Sequence, residues 1–463
     1  MRKPKLQSPT GMHDILPEDW KYFQKIYNVC EELANFYEFA KIETPILEDT
    51  ELFSRGVGLA TDIVEKQMFS FKSRGGDYLA LRPEGTAPVV RAYIEHGMHN
   101  LPQPVKLWYF GPYFRAEKPQ LGRYRQFWQF SFEVLGEAGP VIDAQIVQIF
   151  YNILKDLKFK DLVVSVNSIG CSQCRPCFRR LLLSYFRPRE SFLCSDCRRR
   201  LRENPLRILD CKEEKCQMLV SQAPQMLDHL CEECHKHFKD VLEFFEELSL
   251  PYSLNPYLVR GLDYYTKTVF EIFPSLTSQE PKILRSSSDE EPSQGQVFIP
   301  KFRNKEDENN IEEHAKVGAL VGGGRYDNLA KLLGGKPTPA CGASAGIERI
   351  ALLLKEKGLK IPAAQKPKVF LAQLGELAKR KTLKLVEEFR EIGIPISESL
   401  GRDSLKTQLN RADKIGVKYT LILGQKEALE GTIIIKEMAT GKQETVKLEK
   451  VVGEMKRKLK TKN

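Results

Sequence analysis

Val259-Arg260-Gly261-Leu262-Asp263-Tyr264-Tyr265-Thr266-Lys267-Thr268-Val269-Phe270-Glu271 brings a cation, a glycine, a carboxylate and two phenols together between Arg260 and Tyr265. An apolar/polar alternation that reads as a strand follows at once. Such a cluster offers a charge-assisted fork to an anion and two hydroxyls to a small polar ligand. The same residues also spell a plain structural unit, a strand preceded by a satisfied Arg–Asp pair, and the hexapeptide alone does not separate the two. The rest of the chain does.

With 463 residues the chain exceeds what one hydrophobic core organises, so two or three domains are expected. At 42% hydrophobic and 29% charged residues, the composition is that of an ordinary globular protein. No apolar run approaches the length needed to span a bilayer. Met1-Arg2-Lys3-Pro4-Lys5 leads into polar sequence without the apolar stretch of a secretion signal. The expectation is a cytoplasmic protein with no membrane partner. Eleven cysteines, an odd count, argue for a reducing compartment and against a disulfide framework. The formal charge is +10, and from Lys366 onward 22 Lys+Arg stand against 13 Asp+Glu. A basic terminal domain suits a phosphate-rich partner, because each neutralised phosphate releases counterions. A lysine-rich solvated face would give the same count.

Residues Trp20 to Glu38 alternate at helical spacing behind the cap-like Asp14-Ile15-Leu16-Pro17-Glu18. Phe39 to Leu47 reads as extended, with Pro45 barring an interior strand. The runs Val105 to Phe110 and Tyr124 to Leu135 flank a polar loop and predict a long hairpin. From Cys171 to about His237 the chain turns helical, basic and cysteine-rich, and holds nine of the eleven cysteines. This stretch reads as an inserted domain. Ser275 to His314 is too polar and charged to pack and reads as an excursion between two strands. The core resumes at Val317 to Val321 and ends near Gly358. Ile361 to Pro367 is a linker. Beyond it Val369 to Gln373, Ala378 to Ile392 and Tyr419 to Leu423 alternate strand and helix, a small α/β domain. The expected boundaries are residues 1–170 and 240–360 for a core in two parts, 171–239 for the insertion, 275–315 for the excursion and 366–463 for the terminal domain.

Phe114-Arg115-Ala116-Glu117 opens the hairpin's polar loop, and Arg123 to Glu133 returns from it. This resembles motif 2 of class II aminoacyl-tRNA synthetases. Gly342-Ala343-Ser344-Ala345-Gly346-Ile347-Glu348-Arg349, a glycine-rich strand running into a helix, looks like motif 3. Motif 1, the dimer-forming element, would be the helix–strand unit ending at Pro45. The stretches Arg82-Pro83-Glu84-Gly85-Thr86, Gln129 with Glu133, the segment at Arg260, and Gly322-Gly323-Gly324-Arg325-Tyr326-Asp327 resemble the signatures of histidyl-tRNA synthetases of bacterial type. They stand in family order, and the resemblance runs from Pro9-Thr10-Gly11-Met12-His13-Asp14 to the terminal domain, which looks like the family's anticodon-binding module.

The resemblance implies an α+β fold, with an antiparallel sheet flanked by helices, a helical insertion and a C-terminal α/β anticodon-binding domain. It implies an ATP-dependent, AMP-forming ligase, a homodimer, whose partners are L-histidine, ATP and histidine tRNA, with magnesium bridging the phosphates. Arg115 would bind the α-phosphate, Glu117 the adenine edge and Arg349 the γ-phosphate, with Arg123 joining them at ATP. A planar guanidinium that stays charged suits a phosphate whose charge builds in the transition state. Glu84, Thr86 and Gln129 would hold the substrate's α-amino group, and Glu133 and Tyr265 its imidazole nitrogens. Tyr264 and Arg115 complete the histidine-binding set, and Arg260 would assist the attack beside the carboxylate, so that Arg260 and Arg115 are the catalytic pair. Ala116 and Trp128 depart from the histidines usual at these positions in bacterial members, and Trp128 is expected to alter the pocket wall.

Cys171/Cys174 and Cys194/Cys197 are spaced as Cys-x2-Cys-x19-Cys-x2-Cys, which suits tetrahedral zinc. Cys211/Cys216 and Cys231/Cys234, near His235 and His237, offer a second set, and reduced, partly buried thiols without metal are the alternative. Two other functions compete. The synthetase-like regulatory subunit of ATP phosphoribosyltransferase lacks the anticodon-like domain and usually degrades the Arg260-type signature, and both are present here. An RNA-binding module with a relic core would not need Arg115, Arg260 and Arg349 intact.

Overall fold

The computed structural model describes residues 6–59, 61–274, 318–359, 361, 367–399, 401 and 404–460. The polar excursion expected at 275–315 lies outside them. The chain divides into two compact units, Met1–Leu359 and Lys360–Asn463.

In chain order the strands of the first unit are β1 (Ala40–Lys41), β2 (Leu47–Asp49), β3 (Ser70–Lys72), β4 (Tyr78–Leu81), β5 (Val105–Phe114), β6 (Gln126–Leu135), β7 (Leu162–Ser168), β8 (Tyr252–Leu254), β9 (Thr266–Pro274), β10 (Val321–Arg325) and β11 (Ala340–Gly346). Eight of them form one sheet in the order β1-β5-β6-β11-β10-β9-β7-β8, and β2, β4 and β3 form a small second sheet. The six inner strands pair antiparallel throughout, while the edge strands β1 and β8 pair parallel. Placing Pro45 just past an edge strand spares the ladder a missing donor.

Side chains alternate across the β5–β6 hairpin, so its two faces differ in chemistry. One face carries Trp108, Phe110, Trp128, Phe130 and Phe132. Phe132 stacks on Trp108, and Phe130 stacks on Phe150 of the helix Pro140–Asp156. Tyr27 of the helix Pro17–Phe36 closes over Trp108 and Phe110. Fully burying one such ring contributes roughly 2–3 kcal/mol, and this aromatic layer anchors the sheet. The other face carries Tyr109, Gln129, Ser131 and Glu133, and there the site is built.

The first helix starts at Pro17 rather than behind a side-chain cap at Asp14: Leu16 is the N-cap and makes no side-chain cap bond. Proline in the first turn sacrifices an amide that has no intrahelical partner there, and Glu18 and Asp19 suit the positive end of the dipole. Within the insertion the helices are short, Cys174–Phe186, Ser195–Glu203 and Glu214–Val220, joined by 3-10 turns. The helix Glu232–Glu247 continues past residue 239 and carries the chain back toward β8.

The second unit has β12 (Val369–Gln373), β13 (Ile396–Glu398), β14 (Tyr419–Leu423), β15 (Thr432–Glu437) and β16 (Gln443–Lys447), in the order β13-β12-β14-β15-β16. β12 pairs parallel with both neighbours, and the remaining pairs are antiparallel. Val369, Leu371 and Leu421 pack toward Leu385 and Phe389, while Phe370 and Ile422 pack toward Ala412 and Val417. Strands covered on both faces explain the unbroken apolar runs.

Candidate active site

Glycines of β10 and β11 clear space on the polar face of the large sheet. Registers run Glu271–Gly322–Ser344–Ser131–Tyr109 and Val269–Gly324–Gly342–Glu133 across β9, β10, β11, β6 and, in the first row, β5. A Cβ on Gly342 would lie 1.7 Å from Glu133 Oε2, and one on Gly322 would lie 2.3 Å from the Arg260 guanidinium. A side chain at Gly322 would push the Arg260 guanidinium off the floor, and one at Gly342 would meet both the Glu133 carboxylate and the Phe132 carbonyl, so these glycines leave room for the side chains that pass over them.

The first compartment is buried and acidic. Glu133 has no exposed surface, and its Oε1 accepts from the hydroxyls of Thr86 (2.9 Å) and Tyr109 (3.0 Å). Its Oε2 accepts from Tyr326. Burial pushes the Glu133 carboxyl up to about 7, against the pull of those three donors. Glu84 sits at the start of the helix Thr86–Glu95, accepting from the amides of Thr86 (2.8 Å) and Ala87 (2.9 Å) and from Tyr264 Oη (3.3 Å). A carboxylate is favoured at a helix N-terminus, yet burial outweighs this and raises its pKa. Tyr264, Tyr265 and Tyr326 wall the compartment, the rings of the first two 4.7 Å apart. Glu133 is therefore satisfied by Thr86, Tyr109 and Tyr326.

The second compartment is an open cavity of about 370 Å³ lined by Arg115, Glu117, Arg123, Gln129, Arg260, Glu271, Glu348 and Arg349, among others. Arg115 donates Nε to Pro83 O (2.9 Å) and lies over the Phe127 ring at 5.1 Å, which orients the guanidinium. Pro83 immediately precedes Glu84, and Arg260 of the cavity wall lies over the ring of Tyr265, so the two compartments adjoin. Arg349 is held by Gly122 O (3.2 Å) and Ala319 O (2.7 Å), which ties the motif 3 helix to the hairpin loop. Arg123 approaches Glu117 at 3.9 Å. Glu348 receives the Trp128 amide at 2.8 and 3.0 Å, and burial raises its carboxyl to about 8.

Arg260 is not paired with Asp263, as the hexapeptide suggested. It binds Glu271 of β9 and covers the Tyr265 ring at 5.9 Å. Asp263 turns the other way and receives Asn204 Nδ2 at 2.9 Å. The insertion thus holds the signature segment: Arg207 donates to Gly261 O (3.0 Å) and Asp62 (2.8 Å), and Arg175 donates to Tyr265 O. Within Gly322–Asp327 the roles divide. The glycines make the floor and Tyr326 reaches Glu133, but Arg325 is buried under the sheet, bonded to Asp143, Glu137 O and Gly139 O.

Three further expectations are corrected. Trp128 does not alter the pocket wall, because strand alternation turns it to the opposite face, against Trp20, Phe23 and Phe110. The quartet Cys171, Cys174, Cys194 and Cys197 does not form. Cys171 and Cys174 meet Cys231 and Cys234, while Cys194 and Cys197 meet Cys211 and Cys216. The 13-residue helix Cys174–Phe186, roughly 20 Å long, carries the chain away before Cys194. His237 joins neither group and bonds to Asp143 at 3.3 Å. Tyr109 and Glu271, by contrast, carry no motif. The one signal for Glu271 is that it stands as the lone acid on the polar side of an apolar strand.

An antiparallel sheet with one arginine on a hairpin and another at a strand-to-helix junction, both facing one cavity, is the plan of a class II aminoacyl-tRNA synthetase. The family model described as histidyl-tRNA synthetase matches residues 11–173, and the anticodon binding domain model matches 368–458. The histidine–tRNA ligase of Dehalococcoides mccartyi is 41% identical over 98% of this chain and 100% of its own length, and that of Pelotomaculum thermopropionicum is 41% identical over 97% of each. The chain belongs to the histidyl-tRNA synthetase family. The crystal structure of apo S. aureus histidyl-tRNA synthetase aligns with a TM-score of 0.73 at 34% identity, covering 98% of this chain and 100% of that one.

Proposed function

We propose that the chain activates L-histidine with ATP and transfers it to the 3′ end of histidine tRNA. The observation that carries this reading is the adjacency of the two compartments: a buried pair of carboxylates with hydroxyl partners, and beside it an arginine-lined cavity. The first suits an ammonium and an imidazole, and the second suits a triphosphate.

In this reading Glu84 takes the α-ammonium with Thr86 and Gln129, and Glu133 accepts from an imidazole N–H, with Tyr264 and Tyr265 closing the pocket. Arg115 and Arg260 then lie where the substrate carboxylate meets the α-phosphate. The carboxylate oxygen attacks that phosphorus, the bond to the bridging oxygen breaks, and pyrophosphate leaves. Both guanidiniums oppose the charge gathered in the transition state without reorganising. Arg123 and Arg349 hold the outer phosphates and Glu117 the adenine edge. The terminal ribose hydroxyl of the tRNA next attacks the carbonyl of the adenylate, releasing AMP. The chain's own contribution is positioning and electrostatics.

Glu271 on the cavity wall offers the kind of hard oxygen donor that magnesium would take alongside phosphate and water. The ion would neutralise phosphate charge. The cysteine groups of the insertion lie outside this cavity, none of them among its lining residues. Exposed Ile46, Leu47, Phe71 and Tyr78 on or beside the small sheet, together with the motif 1 helix, support a homodimer. No helix among the described residues is long and apolar enough to cross a membrane, and the cytoplasm suits a chain whose many cysteines are reduced.

Histidine-dependent exchange of pyrophosphate into ATP tests the reading. Exchange should require histidine and should fall at least ~100-fold in Arg260→Ala, whose missing donors act in the transition state (about 3 kcal/mol). Exchange indifferent to histidine would sink the proposal.

A further inference from the structure

Eight of the nine cysteines between positions 171 and 234 gather into two nested groups, Cys171, Cys174, Cys231 and Cys234 outside, and Cys194, Cys197, Cys211 and Cys216 inside. In each group the four sulfurs lie within 4.8 Å of one another. The Sγ pairs Cys171–Cys174, Cys171–Cys231 and Cys194–Cys211 are each 3.8 Å apart. A disulfide would draw two sulfurs to about 2.0 Å. Four thiolates at about 2.3 Å from a central ion form a tetrahedron whose edge is about 3.8 Å. The spacing is that of ligands around one ion.

Backbone donors complete the pattern. In the outer group the amides of Gln173 and Cys231 point at the sulfurs of Cys171 (3.3 Å) and Cys174 (3.1 Å). In the inner group those of Cys194 and Cys197 point at Cys216 (3.3 Å) and Cys194 (3.4 Å). Amide donors stabilise sulfur in its anionic, metal-ligating form and fix its direction. Arg175 near the outer group and Arg200 near the inner one offset the net negative charge of a tetrathiolate site. A donor set of sulfur alone excludes hard cations and selects zinc or iron. A polynuclear iron–sulfur cluster places its cysteines on different metal ions and would spread the sulfurs further.

We propose that the insertion holds two structural zinc ions, each bound by four cysteine thiolates. The outer ion closes the insertion at its base, where the chain has left β7 and where the returning helix Glu232–Glu247 begins. The inner ion ties together short helices, nine and seven residues in two cases, that are too small to be stable alone. The nesting explains why spacing misled: the partners of each Cys-x2-Cys pair are chosen by the path of the helices between them.

The full chain, purified without chelator, should contain two zinc ions per polypeptide by elemental analysis. Cys231→Ser and Cys211→Ser should each leave one, and Cys177→Ser, outside both groups, should leave two. If either of the first two variants fails to fold, the unmodified protein still decides. A mercurial should release two zinc ions per chain, and cobalt-loaded protein should show the visible absorption of tetrahedral tetrathiolate coordination. Folded protein without metal, one zinc per chain, iron in place of zinc, or disulfides among these eight residues would each overturn the proposal.

Discussion

A carboxyl group as deeply buried as Glu133 survives only because three hydroxyls converge on it, and its titration follows from that enclosure. The unfolded chain loses this proton near 4.5, whereas the folded chain keeps it to about 7. Between those values the native state binds more protons, so this group's stabilising contribution is full below 4.5 and is lost as pH rises through 7. Glu348, raised to about 8, acts with the same sign over a wider window. For the ligand the sense reverses, since an ionised Glu133 is the better acceptor for an imidazole N–H. Histidine affinity should therefore strengthen as pH rises through about 7. In Glu133→Gln, calorimetric titration should show that limb gone and histidine binding weaker by ~10- to 150-fold, the worth of a charged hydrogen bond (about 1.5–3 kcal/mol). ATP affinity should stay within about twofold, and an equal loss for both ligands would remove Glu133 from the histidine pocket.

β10, Val321–Arg325, shows at the scale of one element how a glycine-rich strand serves two tasks. Its glycines lie under the site, while Arg325 anchors its end in a fully buried ion pair with Asp143, supported by two carbonyls and Asp327. Asp143 also faces His237 of the returning helix, so β10, the helix Pro140–Asp156 and the end of the insertion meet at one charge cluster. Removing one partner leaves a charge stranded in low dielectric. Arg325→Ala should lower unfolding stability by about 3–5 kcal/mol in denaturant titration. A loss below about 1 kcal/mol would mean that water reaches Asp143. The strand's glycine and arginine residues were plain in the sequence. Their division of labour was not, because period-2 alternation assigns faces only once the sheet's two sides are known.

The molecule as a whole separates chemistry from charge. Every residue assigned to ATP and histidine belongs to the unit Met1–Leu359, and nine of the chain's ten net positive charges fall from Lys366 onward. A chain ended after Ala364 should retain histidine-dependent exchange within a fewfold, because its sheet and cavity belong to the first unit alone. Charging of tRNA should drop sharply. The slope of log affinity for tRNA against log salt should shrink by about 0.7–0.9 for each phosphate that the shortened chain no longer neutralises. Filter binding across a salt series reads this directly. Unchanged charging and slope would leave the terminal unit without a role in RNA binding.

The sequence by itself determined what is local: the helix and strand periods, the α/β character of the terminal unit, the arginines at the hairpin and at the strand-to-helix junction, and the polar signatures that belong together. These are set by neighbours a few positions apart and by residue chemistry, which a linear string carries. Only the tertiary structure decided the partners. Arg260 chose Glu271 over Asp263 because the segment bends back over β9 while the insertion draws Asp263 away. Glu133 collected hydroxyls from a helix, a neighbouring strand and the loop after β10. Trp128 fell on the aromatic side by one step of alternation, and the cysteines nested rather than paired in order. Most of these outcomes join residues tens to hundreds of positions apart, where burial and packing, not spacing, select the partner.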